Sequence, residues 1–257
     1  MSPCHTMTAS DGPLLTLLLP GLDGTGRLLE RFVAAASGTL ELRTLSYPPD
    51  RVRSYAELAE LVRAELPRGR RFALLGESFG GPLALRVAAG RPPGLVGVVL
   101  AASFHRRPAA RLVSALRPLS PAFFRLPLPA HAVRVLLAGH DAPDALVADV
   151  QAAVASVQPR VMARRAHEAL HVDATGWLRD CPAPVLFLGG RQDRLLRTGL
   201  AIEIRLVRPD AEIRMLDAPH LVLQRRPDEA MRAVEGFLAR SPAATAPLRA
   251  ASADEPA

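Results

Sequence analysis

Short apolar runs alternate along the chain with segments in which apolar residues recur at helical spacing. The run at 14–19 (LLTLLL) is almost entirely apolar, which is typical of a strand covered on both faces. Such runs are bounded by Gly, Pro or charged residues, as the ends of strands usually are. Runs of this kind predict strands at 14–19, 40–45, 72–75, 96–101, 185–188 and 213–216.

Helical segments follow several of these strands. Residues 54–57 (SYAE) match a capping box, in which the Ser and Glu side chains satisfy backbone N–H groups at a helix start. Another helix is predicted from the end of the 72–75 strand to about Ala89, and the last one starts near Pro227. Alternating strands and helices predict an α/β fold with a mainly parallel sheet flanked by helices.

The alternation stops between the fourth and fifth strands. Residues 104–175 are rich in Pro and Arg and contain two helical stripes, so we expect an inserted α-helical cap there. The core is then formed by 14–103 and 176–240. We expect 1–13 to be a flexible N-terminus and the Ala- and Pro-rich 241–257 to be a disordered tail.

Charge and composition exclude several classes of protein. The chain has 257 residues, 49% of them apolar, and a net charge of +7, but all 32 basic residues are Arg, and they are spread along the sequence. This pattern indicates codon bias rather than a surface that binds nucleic acid. Because the chain has no Lys, it lacks the Lys of a Walker A loop and the Lys that binds pyridoxal phosphate.

The cysteine count, the apolar runs and the N-terminal residues indicate a cellular location. Only Cys4 and Cys181 are present, which is too few for a disulfide framework. No apolar run approaches the roughly 18 residues of a membrane-spanning helix. The first residues lack the positive region of a signal peptide, so we expect a cytoplasmic protein.

Residues 76–80 (GESFG) match the motif G-x-S-x-G. The motif lies between a predicted strand and a predicted helix, where a sharp turn exposes the Ser oxygen above the carboxyl edge of the sheet. Ser78 is therefore the candidate nucleophile. The Gly-rich turn at 21–26 has the wrong spacing for a dinucleotide-binding loop, and no acidic residue ends the second strand.

A nucleophilic Ser needs a base, and the base needs an acid that orients it. Two aspartates and one histidine follow the fifth and sixth strands: Asp193, Asp217 and His220. Asp217 is only three residues before His220, so its side chain would have to fold back along its own loop. Asp193 comes from the neighbouring loop and can reach the ring nitrogen that faces away from Ser78. We therefore predict the order Ser78, Asp193, His220.

Four segments, LLLPGLDGTG, LLGESFGGPLAL, LFLGGRQDRL and DAPHLVLQRRP, resemble the α/β-hydrolase fold superfamily, and the resemblance covers most of 14–240. It implies that Ser78 is the nucleophile, His220 the general base and Asp193 the orienting acid. It also implies an oxyanion hole formed by the backbone N–H groups of Leu22 and Phe79. The family loop usually reads His-Gly, whereas this chain has Pro20-Gly21.

Residues 167–171 (HEALH) match the zinc motif H-E-x-x-H. On a helical wheel, His167 and His171 share a face with Arg160 and Arg164, whose positive charges oppose a dication. The third His of the longer metzincin motif is absent. A solvent-exposed helix face is the preferred interpretation, and no metal is predicted.

The sequence therefore predicts a cofactor-free serine hydrolase, most simply a carboxylic ester hydrolase acting on a small-molecule ester or acyl substrate. Three alternatives stay open: a thioesterase or acyltransferase with the same three residues, a zinc-dependent hydrolase, and a non-catalytic ligand-binding protein. His105, Phe123 and Phe124 are candidates to contact the substrate. Arg residues of the predicted cap could meet an acidic acyl carrier protein: Arg106, Arg107, Arg111, Arg117, Arg125 and Arg134.

Overall fold

Six parallel strands form the centre of the molecule in the computed structural model, which describes residues 12–107, 120–196 and 199–241. The order across the sheet is β2-β1-β3-β4-β5-β6, and every neighbouring pair is parallel. The strands are β1 (Leu14–Leu19), β2 (Leu40–Thr44), β3 (Phe72–Glu77), β4 (Leu95–Ala101), β5 (Val185–Gly190) and β6 (Glu212–Leu216).

Helices connect the strands and cover both faces of the sheet. They are α1 (Glu30–Ala34), α2 (Tyr55–Ala64), α3 (Gly80–Ala89), α4 (Ala130–Ala132), α5 (Asp144–Ala155), α6 (Pro159–His171), α7 (Thr175–Arg179), α8 (Leu200–Val207), α9 (Val222–Arg225) and α10 (Pro227–Ala239). Short 3₁₀ turns lie at Arg27–Leu29 and Phe123–Arg125, and α4 continues into a π-helical segment at Val133–Ala138. The predicted α/β class with a parallel sheet flanked by helices is confirmed.

Two apolar layers sandwich the sheet. One layer joins α2 and α3 to one face and includes Leu17, Leu74 and Leu83; the other joins α1 and α10 to the opposite face through Phe32 and Met231. Because both faces of β3 and β5 are buried, these strands read as continuous apolar runs. Both strands continue two residues beyond their predicted ends. The added residues are Gly and a buried Glu in β3 and two glycines in β5, which do not extend an apolar run.

Residues 120–179 contribute helices α4 to α7 between β4 and β5. The two predicted stripes correspond to α5 and α6, and the predicted capping box is present, with Ser54 accepting from the Glu57 N–H. No helix within the described ranges is long and apolar enough to cross a membrane.

The predicted N-terminal segment, apart from its last two residues, lies outside the described residues, as do 242–257 of the predicted tail. Ser241, where that tail was expected to begin, is buried, and its Oγ donates to the Val96 carbonyl at 2.5 Å. The described core therefore extends one residue further than the predicted boundary of 240.

Candidate active site

Ser78 lies in the sharp turn between β3 and α3. Its φ is +48°, in the left-handed region that few non-glycine residues adopt. A Cβ at Gly76 would collide with the backbone of Gly80, and a Cβ at Gly80 would collide with the carbonyl of Leu19. The two glycines of the motif therefore allow the helix to start directly against the strand, with Ser78 in the sharp turn between them.

Three side chains from separate loops meet at this turn. Ser78 Oγ lies 3.1 Å from His220 Nε2, and His220 Nδ1 lies 2.8 Å from Asp193 Oδ2. Ser78, His220 and Asp193 are called the Ser78 cluster below. The geometry fits an imidazole that donates its Nδ1–H to Asp193 and accepts the Ser78 hydroxyl at Nε2. The structure thus brings together the three residues that the sequence singled out.

The two aspartates at this edge have different environments. The Asp193 side chain is 9% exposed, and its Oδ1 accepts from the N–H groups of Leu195 and Leu196 at 2.8 and 2.9 Å. Asp217 is exposed, and its Oδ1 accepts from Gln192 Nε2 at 2.7 Å. Only Asp193 contacts the imidazole, and its remaining oxygen is fixed by the backbone.

The paired charges shift the pKa values of the cluster in opposite directions. Burial alone would lower the pKa of His220, but the Asp193 carboxylate beside it raises that pKa above its usual value. Burial would raise the pKa of Asp193, but His220 and the two backbone N–H groups hold it below its usual value. Asp193 therefore stays ionised and favours the imidazolium form of His220.

The 20–23 loop, which follows β1, lies beside Ser78: an added Cβ at Gly21 would be 3.9 Å from the Ser78 Cβ. Buried groups hold its backbone. Tyr47 donates its hydroxyl to the Pro20 carbonyl at 3.2 Å, the Gly21 N–H donates to Glu77, and Arg165 Nη1 donates to the Leu22 carbonyl at 3.1 Å. The loop is therefore tied to the core at three consecutive residues.

The N–H groups of Leu22 and Phe79 have no acceptor in the described part of the chain. Phe79 itself is held by Tyr55, whose ring stacks on it at 4.5 Å between centroids and whose hydroxyl donates to its carbonyl at 3.0 Å. In both residues the N–H is without an acceptor among the described residues, whereas the carbonyl is held by a buried side chain.

Glu77 is a buried carboxylate directly before Ser78. Burial raises its pKa to about 7, although it accepts from Gln224 Nε2 at 2.7 Å and from the Gly21 N–H. Asp23 raises this pKa further, and His220 lowers it. Glu77 thereby connects the 20–23 loop with α9, the helix that follows His220.

The three residues predicted to contact the substrate, His105, Phe123 and Phe124, lie in different surroundings. His105 is buried, and its backbone carbonyl accepts from the Ala174 N–H. Phe123 is 44% exposed, whereas Phe124 is half-buried and packs in a cluster with Val161 and Met162 of α6. The side chain of Leu22 joins the same cluster, so this apolar surface reaches the 20–23 loop.

His167 and His171 stack on each other on the exposed face of α6, with ring centroids 4.1 Å apart. The Glu168 carboxylate between them accepts from the Tyr55 N–H and pairs with Arg164, both at 2.9 Å. His171 Nδ1 lies 2.7 Å from the His167 carbonyl. Within the described residues, no group of three or more potential metal ligands is found.

Sequence reasoning missed Arg165, Tyr47, Glu77 and Gln224. One of them had a readable signal, because Arg165 lies on the stripe of α6 that also carries Val161, Met162 and Ala169. An Arg on the buried face of an amphipathic helix requires buried acceptors. The acceptors here are backbone carbonyls of distant loops, which a sequence pattern does not reveal.

Residues 8–234 match the model of the "Alpha/beta hydrolase family". No curated protein matches the sequence.

Many solved structures are similar in fold. A hydrolase from Oleispira antarctica has a TM-score of 0.76 at 13% identity and covers 90% of this chain and 93% of its own. An enol-lactonase from Burkholderia xenovorans has a TM-score of 0.72 at 18% identity, with 89% and 92% covered.

A thermophilic esterase from Thermogutta terrifontis has a TM-score of 0.72 at 19% identity, with 90% of this chain and 91% of that chain covered. At such identities the likeness concerns the fold. The neighbours differ in the reactions that their names state, so they agree on the scaffold and leave the substrate open.

Proposed function

Because the chain belongs to the alpha/beta hydrolase family and is a hydrolase, we propose that it is a serine hydrolase that cleaves carboxylic esters through an acyl-enzyme. The observation that carries the proposal is the hydrogen-bonded series from Ser78 Oγ through His220 to Asp193, at 3.1 and 2.8 Å. A serine activated by an imidazole that an acid orients is the arrangement that acyl transfer to serine needs.

In the first half-reaction, the Ser78 hydroxyl passes its proton to His220 Nε2 while Oγ bonds to the acyl carbon. The carbonyl π bond opens, and the resulting oxyanion accepts from the backbone N–H groups of Leu22 and Phe79. His220 then gives its proton to the leaving alcohol as the C–O bond breaks. Asp193 stabilises the imidazolium throughout by accepting from Nδ1–H.

In the second half-reaction, His220 takes a proton from water, whose oxygen attacks the acyl carbon. The tetrahedral intermediate expels Ser78 Oγ, which recovers its proton from His220, and the carboxylic acid leaves. Each proton transfer is thus assigned to a side chain of the Ser78 cluster, and the helix start after Ser78 favours negative charge there.

The proposed acyl pocket is the apolar surface of Leu22, Phe124, Val154 and Met162. Leu22 supports this location, because the same residue would provide an oxyanion N–H and an apolar side chain. An acyl group whose carbonyl lies at that N–H would therefore extend over the surface of α5 and α6.

The proposal is tested by labelling with a fluorophosphonate and by hydrolysis of p-nitrophenyl esters of increasing acyl length. Wild type and Ser156→Ala should be labelled and active, because Ser156 is an exposed residue whose hydroxyl donates to the Ala153 carbonyl of its own helix. Ser78→Ala should be neither. Labelling that persists in Ser78→Ala would reject the assigned nucleophile, and faster turnover of matched thioesters would point to a thioesterase.

The acyl carrier partner stays a prediction, since Arg107 and Arg125 are exposed but two of the other Arg residues are already paired. Arg106 already pairs with Glu203, and Arg134 pairs with Asp144. Arg111 and Arg117 lie outside the described residues. We propose a small ester as the substrate, and an acyl group on an acidic carrier protein stays the alternative.

A further inference from the structure

Arg165 of α6 is the largest fully buried side chain of the described core, with 2% of its surface exposed. Its guanidinium donates to three backbone carbonyls: Leu22 at 3.1 Å, Asp23 at 2.5 Å and Pro48 at 3.0 Å. It also lies 5.4 Å from the centre of the Tyr47 ring. A single side chain of the inserted helices thus holds two loops of the core.

The acceptors of Arg165 are unusual for a buried charge. Within the described residues, its guanidinium forms no ion pair, whereas its neighbour Arg164, 43% exposed, pairs with Glu168. Burying a charged group costs free energy unless it is paired or fully hydrogen-bonded. If this position only filled space, an apolar residue like those beside it on the stripe, Val161 and Met162, would suffice. Arg165 is therefore suited to this position because its guanidinium can bind the three loop carbonyls at once.

These hydrogen bonds act on the backbone that carries the Leu22 N–H. Tyr47 and Glu77 hold Pro20 and Gly21 on one side of that N–H, and Arg165 holds the carbonyls of Leu22 and Asp23 on the other. The turn then closes at Gly24, where φ is +66° and an added Cβ would collide with the guanidinium. The peptide planes on both sides of Leu22 are consequently fixed.

We infer that Arg165 is a positioning residue, which aims the Leu22 N–H at the oxyanion by fixing the carbonyls of Leu22 and Asp23. The inference rests on the proposed function. An oxyanion donor must be preorganised to lower the barrier, and a displacement of about 1 Å can cost ~10²-fold in rate. Docking of the insert onto the core through Arg165 would thus be a condition for fast acyl transfer.

The test compares Arg165→Met, Arg165→Lys and Arg165→Ala with the matched control Arg164→Met. Turnover of a short ester, normalised to the sites titrated by fluorophosphonate, should fall about 10- to 100-fold in Arg165→Met with KM changed less than about threefold. Arg165→Lys should be intermediate, since an ammonium lacks the planar fork. Added ethylguanidinium should restore part of the turnover of Arg165→Ala. Arg164→Met should equal wild type.

Hydrogen exchange of the segment 14–29 provides a readout that does not depend on turnover, and it should accelerate in the Arg165 variants alone. A loss that follows only the titrated fraction of sites, with no change per site and no rescue, would reduce Arg165 to a structural role. If Arg165→Met does not fold, Arg165→Lys decides between these outcomes. If wild type shows no esterase activity or labelling, the proposed function fails, while the exchange result still reports on the loop.

Discussion

The loops at the carboxyl edge of the sheet and the helices inserted between β4 and β5 each contain a motif of catalytic type, yet they differ in how its members meet. Ser78, Asp193 and His220 are separated by up to 142 residues and are joined by hydrogen bonds. His167 and His171 are neighbours on one helix, and Glu168 between them is occupied by Tyr55 and Arg164. A hydrogen-bonded group of residues that are distant in sequence is therefore better evidence of an active site than a short motif on one helix.

The largest effect is expected at Ser78. Ser78→Ala should lower ester turnover by at least about 10⁴-fold, because the proposed acyl-enzyme forms on the Ser78 hydroxyl. Circular dichroism and the melting temperature should stay close to those of wild type, since Ala has the same backbone preference. If the variant keeps more than a few per cent of the wild-type turnover, Ser78 is not the nucleophile.

The next effect distinguishes the two aspartates. Asp193→Asn should lower kcat by roughly two to four orders of magnitude, because an amide favours the wrong imidazole tautomer. It should also move the acid limb of the pH–rate profile to lower pH, since the Asp193 carboxylate raises the pKa of His220. Asp217→Asn, the control, should lose less than about tenfold. The opposite ranking would transfer the orienting role to Asp217.

A third prediction concerns stability at the same edge. The pKa of Glu77 is raised from 4.5 to about 7, so the folded state binds its proton more tightly than the unfolded state does. The corresponding stabilisation is complete below the unfolded value and is lost as the pH rises through about 7, a change of about 3 kcal/mol. The pKa of His220 is also raised, so its deprotonation destabilises the folded state in the same direction as the pH rises.

Urea unfolding at several pH values checks this sign. Wild type should become less stable between pH 4.5 and about 7, and Glu77→Gln should remove most of that slope. An unchanged slope in the variant would mean that Glu77 is ionised throughout this range.

Unlike Arg165, the apolar residues of the inserted helices should affect substrate choice more than chemistry. Phe124→Ala opens the apolar cluster with Val161 and Met162 and should change the preference between long and short acyl esters by about tenfold, near the scale of one or two buried methylenes. Leu126→Ala, at a side chain that is 69% exposed, is the control and should leave the preference unchanged. Equal losses for all acyl lengths would assign Phe124 to packing.

The smallest effect is expected at the zinc-like motif. His167→Ala, His171→Ala and treatment with a chelator should each leave turnover within about twofold of wild type, because both rings are exposed and the intervening carboxylate is engaged. Inactivation by the chelator with recovery on adding zinc would reverse the comparison between the two regions.

Much of the framework was predictable from local pattern. The strands followed from apolar runs, and the meeting of Ser78 with residues after β5 and β6 followed from the common edge of parallel strands. The choice of Asp193 over Asp217 followed from the reach of each loop. These inferences needed only periodicity, chain direction and the geometry of a sheet.

The supports of the site were not predictable in this way. Glu77, Tyr47 and Arg165 act on the 20–23 loop through backbone carbonyls and N–H groups, which have no sequence signature. The ends of β3 and β5 were also misjudged, because a buried Glu and a pair of glycines do not look like strand. In each case long-range contacts override the local preference.

The left-handed backbone at Ser78 has an evolutionary consequence. A side chain in this conformation costs on the order of 1 kcal/mol, and glycine avoids most of that cost. Ser78→Gly should therefore melt slightly above both wild type and Ser78→Ala while remaining inactive. Directed evolution for heat resistance without an activity screen would then favour replacement of the proposed nucleophile. Stability and the proposed activity therefore favour different residues at position 78.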